Sequence, residues 1–461
     1  MLSIRDPVHG FIRADPLEAA LIASRPFQRL RFIHQLGFTF LVYPGAEHSR
    51  FGHALGAMHL AGRVYDALSA KGDGLLPGGE AALERRLVRA AALLHDLGHA
   101  PFSHSAEELF AFGIDHEEMT RRLIRTPEIA RIFARLGNGL AADDVIRLLS
   151  GGGGAPTASP EPGLAGSPEP AALPASEESA LAGSQGSDLA ASPKSGLAPN
   201  AEPETPGSAP APAAAAGAVH QLLAQVISGD LDVDKMDYLL RDGLFCGVRY
   251  GNYDLERLLD TMVPLADPRS GAWGLGVEEG GVHALEALVM ARYYMFTQVY
   301  FNVTGKALEL HFNAWLEESG RRWPADPPAF LAEDDISIWA TMRRSASPHA
   351  AAVVERQHFP VAFETREHLS PAEKSRFEAL LPGLAERFGA ANLLLSRSAK
   401  DPHRMGKSRV RVLVRRFDGS LEPMEDASQF IRHLARIDHY RIYTTPPLRD
   451  AVARALRQSW A

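Results

Sequence analysis

Cys246 is the only cysteine in 461 residues. An intramolecular disulfide is therefore excluded, and the composition fits a reducing cytoplasm. Cys246 itself reads as a small buried apolar residue. Long apolar runs are missing too. No stretch approaches the roughly 20 residues that span a bilayer. The opening residues, Met1 to Pro7, lack the apolar core of a signal peptide. A soluble, cytoplasmic protein is the expectation. Nor is positive charge in excess: 48 Lys and Arg stand against 56 Asp and Glu, a formal net charge of −8. That balance argues against nucleic acid or a membrane surface as the main partner, while leaving room for a local basic pocket.

What is present is an ordinary globular composition, 46% hydrophobic and 23% charged. The length favours two folded units or one unit with an insertion. Residues 150–218 are Gly, Ala, Pro and Ser with scattered acids, and hold no aromatic residue, no Ile and no Arg. Such a stretch cannot bury enough apolar area to offset chain entropy, so a disordered insertion is expected there. Chain closure across it costs little, because loop entropy grows slowly with length. Helical patterns occupy 1–149 and 219–320, and a smaller α+β region follows over 321–461. In that region Val410–Val414 and Tyr440–Tyr443 read as strands, and Ser428–Ile437 and Leu448–Leu456 as helices. A basic cluster, Arg404, Lys407, Arg409 and Arg411, is either a solvated face or an anion-binding surface.

Four segments carry chemistry. A helix is expected to start at the N-cap Ser49, with Phe51, Leu55, Met58 and Tyr65 on its core stripe and His53 off it. This follows a helical segment over Pro26–Ile33 and a β-prone patch over Phe38–Tyr43. The apolar run Leu87–Leu94 predicts a buried helix that delivers His95-Asp96 and stops at Gly98, suited to a left-handed cap, before Pro101. Burying those polar groups unpaired would cost on the order of several kcal/mol, so a metal or a hydrogen-bond network is expected. Asp115-His116-Glu117-Glu118 opens a further helix, where the carboxylates serve at least as dipole complements. Finally, Asp230-Leu231-Asp232-Val233-Asp234-Lys235-Met236-Asp237-Tyr238 puts a row of acids at a helix start. An EF-hand is a poor fit, since the sixth-position glycine and closing glutamate are absent. A fourth ligand for a His-His-Asp site suits this segment, and the Lys235 ammonium suits an anionic substrate. Beyond a β-like piece, Gly271–Val277, one long helix is expected over 282–316, with Arg292, Phe296 and Tyr300 along one side.

His53 within His48-Ser49-Arg50-Phe51-Gly52-His53, then His95-Asp96, then Asp234 match the H…HD…D signature of the HD superfamily of metal-dependent phosphohydrolases. More closely, the chain resembles the deoxynucleoside triphosphate triphosphohydrolases: the bacterial dGTP triphosphohydrolase relatives and the animal enzyme that joins a SAM domain to an HD domain. Asp6-Pro7-Val8-His9-Gly10, Phe27-Gln28-Arg29-Leu30-Arg31, Gln35-Leu36-Gly37, Pro44-Gly45-Ala46 and His99-Ala100-Pro101-Phe102-Ser103-His104 extend the match to about residue 310, and it continues more weakly beyond. No SAM domain is expected within these residues.

The resemblance implies a mainly α fold: an HD-domain helical core with a smaller α+β C-terminal region. It implies a divalent metal ion (Mg, Mn, Fe, Zn or Ni) on His53, His95, Asp96 and Asp234. It implies hydrolysis of a dNTP to deoxynucleoside and inorganic triphosphate by water attack at the α-phosphorus. His116 would protonate the leaving 5′-oxygen with Glu117 tuning it, and His99 and His104 would line the α-phosphate. Arg50, Lys235 and Arg292 would neutralise the triphosphate. Gln35, Tyr238 and Asp242 would hold the 3′-hydroxyl, and Tyr300 would pack on the sugar. A homo-oligomer, dimer or tetramer, is implied as well. Where the animal enzyme reads guanine at its allosteric site this chain has Ala23, although Gln28 and Arg31 remain. Its second-nucleotide clamp is replaced by Val277, Glu278 and Glu279, which argues against nucleotide-gated assembly of the same design. The alternatives are an HD phosphohydrolase for another nucleotide or phosphate ester, or a catalytically silent nucleotide sensor.

Overall fold

The computed structural model describes residues 1–72, 75–102, 110, 113–151, 212–401 and 411–460, with the backbone alone for 212–215. His104, Arg404, Lys407, Arg409 and most of the expected insertion, 152–211, lie outside the described residues.

The helix Arg50–Lys71 is the hub. Phe51, Ala54, Leu55, Ala57, Met58, Ala61, Val64, Tyr65 and Leu68 are all buried, so its apolar stripe spans more than half the circumference. Against it pack the helices Leu83–Leu94 and Val233–Cys246. Close approach of the latter depends on Gly56, where an added Cβ would sit 1.8 Å from Asp237 Oδ1. Asp232 caps the Val233–Cys246 helix by accepting from Lys235 N at 2.8 Å, and Gly247, at φ 70°, ends it in the left-handed region. The helix Pro212–Ser228 begins inside the span expected as insertion.

Three local expectations are corrected. Gly98 is not a left-handed cap: its φ is not positive, and the Leu83–Leu94 helix simply ends with His95 at its C-cap. The patch Phe38–Tyr43 is not extended but lies mostly in a 3₁₀ helix, Gly37–Leu41. Packing overrides its β preference, since Phe38 stacks on Phe102 at 4.3 Å and meets Phe312 edge-on at 5.1 Å. The long helix over 282–316 is broken. Val282–Met295 passes into a π turn, Phe296–Tyr300, and a new helix starts at Val303 after the Asn302 side chain accepts from Gly305 N at 2.6 Å.

The sheets are small. Strands β1 (Leu2–Asp6) and β2 (Gly10–Ala14) form an antiparallel hairpin. Strands β3 (Met262–Ala266) and β4 (Trp273–Glu278) join two later strands, β7 (Leu413–Arg415) and β8 (Leu421–Pro423), in the order β3-β4-β7-β8, with β4 and β7 parallel. In the third sheet the fully buried β9 (Ile437–Thr444) lies between β5 (Val361–Glu364) and β6 (Leu393–Lys400). Ile437 therefore belongs to a strand; the helix expected through it is only Gln429–His433. One face of β9, Tyr440 and Ile442, packs with Phe377, Val452 and Leu456 of the helices Pro371–Phe388 and Arg449–Trp460. The other braces the end of the π turn: Arg441 donates to Phe301 O, and the Tyr443 hydroxyl to Val303 O at 2.9 Å. The main apolar core runs from Ile12 to Ile431 and takes in Trp323, Phe330 and Ile338, so the α+β region shares it.

Candidate metal centre

His53 stands near the start of the Arg50–Lys71 helix, His95 at the end of Leu83–Leu94, and Asp234 near the start of Val233–Cys246. Their ligand atoms all lie within 4.8 Å of one another. His53 Nε2 is 3.0 Å and His95 Nε2 3.7 Å from Asp234 Oδ1. The rings are oriented from behind. His53 Nδ1 is 2.8 Å from Asp237 Oδ2, and His95 Nδ1 is 2.8 Å from Ala92 O. An Nδ1–H donating to each of those oxygens leaves both Nε2 lone pairs facing Asp234. Both Nε2 atoms are buried and make no hydrogen bond of sound geometry.

The electrostatics agree. Burial alone would lower the His53 pKa, but the close Asp234 and Asp237 carboxylates outweigh it and lift it to about 10. Burial would raise Asp234, yet His53 and His95 hold it below the usual carboxylate range. The pocket thus stabilises positive charge between these groups, and a divalent ion answers that better than a proton. Two imidazoles and a carboxylate form a mixed N/O donor set of the kind that Mn, Fe, Zn or Ni accepts, with coordination positions left over. These residues could hold a divalent metal ion. The donor set does not fix the metal's identity.

Asp96, expected as a ligand together with these three, lies beside them, its Oδ2 3.7 Å from His53 Nε2. Its Oδ1 is 3.2 Å from His95 Nε2 and from His99 Nδ1, while Oδ2 takes Arg50 Nη1 at 2.5 Å. His99 is buried, and burial together with the nearby Arg50 guanidinium pushes its pKa down to about 3, so the ring is neutral. His116, the first residue of the helix His116–Ile124, brings its ring centroid to 4.4 Å from that of His99. Gly98 makes this possible: a Cβ there would lie 2.1 Å from His116 O and 2.4 Å from Thr120 N. Gly98 N–H donates to Thr120 Oγ1 at 2.9 Å, and that hydroxyl donates to His95 O at 3.1 Å. Glu117 Oε2 is 3.9 Å from Arg121 Nη1.

The other candidates form a second group. Buried Asp242 accepts from the Tyr300 hydroxyl at 2.7 Å and lies 2.7 Å from His48 Nε2. The rings of Tyr300 and Tyr238 are 6.3 Å apart, and Tyr238 hydrogen-bonds Arg292, which also donates to Asp401 O at 2.9 Å. Gln35 is buried, its N–H donating to His48 O at 3.0 Å. Lys235 donates to Asp232 Oδ2 at 2.6 Å and to Gly229 O at 3.1 Å, so the structure commits it within its own helix start. Glu278 pairs with Arg415 and Lys71, and Glu279 with Arg416. Two functional neighbours escaped the sequence reading. Asp237 follows Asp234 by one helical turn and so shares its face, a usable signal. His48 gives none until Asp242 is seen beside it.

Residues 50–153 match the HD domain and residues 253–460 the HD associated region. An uncharacterised protein of Bacillus subtilis is 34% identical over 308 residues, 66% of this chain and 53% of that protein. The chain spans about half the length of the curated relatives it matches. Deoxynucleoside triphosphate triphosphohydrolase SAMHD1 of Homo sapiens is 46% identical over 110 residues, 24% of this chain and 17% of that enzyme. Among solved structures, a hypothetical protein from Aquifex aeolicus superposes with a TM-score of 0.72 at 27% identity, covering 99% of both chains. A phosphohydrolase from Bacteroides thetaiotaomicron shares the fold, with a TM-score of 0.64 at 22% identity over 96% of this chain and 99% of that one. With both regions matched in order, the chain carries an HD domain followed by an HD associated region.

Proposed function

We propose that the protein is a metal-dependent phosphohydrolase acting on deoxynucleoside triphosphates, releasing deoxynucleoside and inorganic triphosphate. The observation that carries this reading is the convergence of the His53 and His95 Nε2 lone pairs on Asp234, beside buried His99 and the half-buried His116. A divalent ion on those ligands supplies Lewis-acid polarisation of a phosphoryl oxygen and an acidified water. The protein does the rest. His116 gives a proton to the departing 5′-oxygen, tuned by Glu117, and neutral His99 offers a hydrogen bond without adding charge. His104, outside the described residues, is assigned the same role by the resemblance alone. Arg50 and Arg292 are fixed cations for a polyanion, with Lys235 contributing at longer range. Asp242, Tyr238 and Gln35 take the 3′-hydroxyl, and Tyr300 packs on the sugar. Asp96 holds Arg50 and His99 in place and stands close enough to ligate. The 46% identity to SAMHD1 of Homo sapiens over 110 residues supports the substrate class. Assembly into a dimer or tetramer and a cytoplasmic location belong to the same proposal.

The test is direct. Purified protein is incubated with each dNTP and Mg²⁺ or Mn²⁺, and products are resolved by ion-exchange chromatography. Deoxynucleoside plus triphosphate supports the reading; monophosphate plus pyrophosphate overturns it. The commitment of Lys235 to Asp232 favours a second reading, a phosphate ester of lower charge. Turnover of a nucleoside monophosphate or cyclic nucleotide in the same assay, with none of any dNTP, would select it.

A further inference from the structure

Asp237 is fully buried, and its carboxylate is met on every side. Oδ2 lies 2.8 Å from both His53 Nδ1 and Arg241 Nε; Oδ1 lies 2.7 Å from His9 Nε2 and 2.9 Å from Arg241 Nη2. Arg241 passes the chain of contacts on, donating from Nη1 to Asp6 Oδ2 at 2.9 Å. The other oxygen of Asp6 accepts from Val8 N and His9 N, each at 2.9 Å, which closes the turn between β1 and β2. Gly56 leaves the room this needs, for a Cβ there would strike Asp237 Oδ1 at 1.8 Å and Arg241 Nη2 at 2.5 Å.

An Arg–Asp pair alone would be neutral and would need no histidine. Here two carboxylates share one guanidinium, so with both imidazoles neutral the cluster keeps one net negative charge in the interior. Burial of such a charge is unfavourable unless something draws on it. The Nδ1–H of His53 does, and its other nitrogen faces Asp234 in the metal site. A carboxylate behind an imidazole fixes its tautomer and ring orientation and strengthens the opposite nitrogen as a donor.

We propose that Asp237, clamped by Arg241 and His9, is the positioning residue for the metal ligand His53, and that the Asp6–Gly10 turn is thereby part of the metal centre. This rests on the metal-site reading above but not on the identity of the substrate. It also gives Asp6-Pro7-Val8-His9-Gly10 a function in the fold. The aspartate holds Arg241, the turn geometry delivers the histidine, and the histidine locks the carboxylate.

The test uses the full chain and reads metal binding without turnover, so a wrong substrate assignment does not affect it. Mn²⁺ and Co²⁺ affinities are measured by competition with a chromophoric chelator, and the visible spectrum of the Co²⁺ form is recorded, with circular dichroism as the check on folding. Asp237→Asn is expected to weaken both affinities by about 10–100-fold and to shift the Co²⁺ bands. His9→Gln, which leaves the Asp237–Arg241 pair intact, is expected to weaken them by about threefold or more. A folded Asp237→Asn protein with wild-type affinity and spectrum overturns the proposal. If that variant does not fold, wild-type affinity in His9→Gln overturns it. Wild-type protein that binds neither ion overturns it together with the metal centre.

Discussion

Two imidazoles can share an ion only if each turns a lone-pair nitrogen towards it. His53 and His95 both turn Nε2, for different reasons, one ring backed by a carboxylate and the other by a main-chain carbonyl. Asp234 is the partner that makes their convergence useful, and its side chain is one-third exposed. Asp234→Ala is therefore expected to fold while losing its bound metal and its turnover, as read by metal analysis after dialysis and by the dNTP assay; unchanged metal content would remove Asp234 from the site. His116→Ala tests a different role. It should keep the metal and lose about 10²–10⁴-fold in kcat, the range for a general acid; retained kcat would assign the proton elsewhere. At this scale the sequence is most legible where the chemistry narrows the residue type. His53, His95 and Asp234 are readable because few side chains ligate metals. Lys235 is the counter-example: its charge is legible, but its commitment to Asp232 depends on helix-cap geometry that only the fold displays.

Helix starts and ends do the positioning. His95 ends one helix, His116 starts another, and Gly98 lets the second lie against the turn that follows the first. Gly98→Ala would put a methyl group within 2.1 Å of His116 O, so it should push His116 from His99. The expected result is a fall in activity larger than the fall in metal affinity; equal losses would mean that the glycine matters to folding alone. Tyr300 sits in a π turn, an element frequent at functional sites, and its hydroxyl holds Asp242. Tyr300→Phe should raise KM more than it lowers kcat, because the bond it removes orients a binding group; the reverse pattern would put Tyr300 in the chemical step. The existence of the main helices is legible from apolar periodicity. Their interruptions are not. The break after Tyr300 and the 3₁₀ turn at Phe38 are set by partners distant in sequence, Arg441 for one and Phe102 for the other. Gly98 was legible as a special position, but for the wrong reason: a steric demand across elements, not a backbone angle.

The HD core and the α+β region act as one body where the core running to Ile431 and β9 brace the π turn. Two buried histidines belong to that bracing, and they make stability depend on pH. His311, 2.8 Å from His349 Nδ1, is pushed to about 3 by burial and then by His349. His439, under Phe301, is pushed to about 4 by burial and then by Arg441. Both values lie below the unfolded value of 6.5, so the unfolded chain takes up these protons first as pH falls. Their contribution is intact above about pH 6.5 and is lost as pH drops towards 4, at up to about 1.4 kcal/mol per pH unit for each group. Urea midpoints measured from pH 7.5 to 5 should decline accordingly; a flat profile would contradict neutral burial of these rings.

The central claim, hydrolysis of a dNTP at its α-phosphorus with the deoxynucleoside 5′-oxygen as the leaving group, is tested most directly by one turnover experiment in oxygen-18 water with Mn²⁺. The account predicts a single labelled oxygen in the inorganic triphosphate and none in the deoxynucleoside. Label in a deoxynucleoside monophosphate alongside pyrophosphate, or in the deoxynucleoside itself, would contradict it.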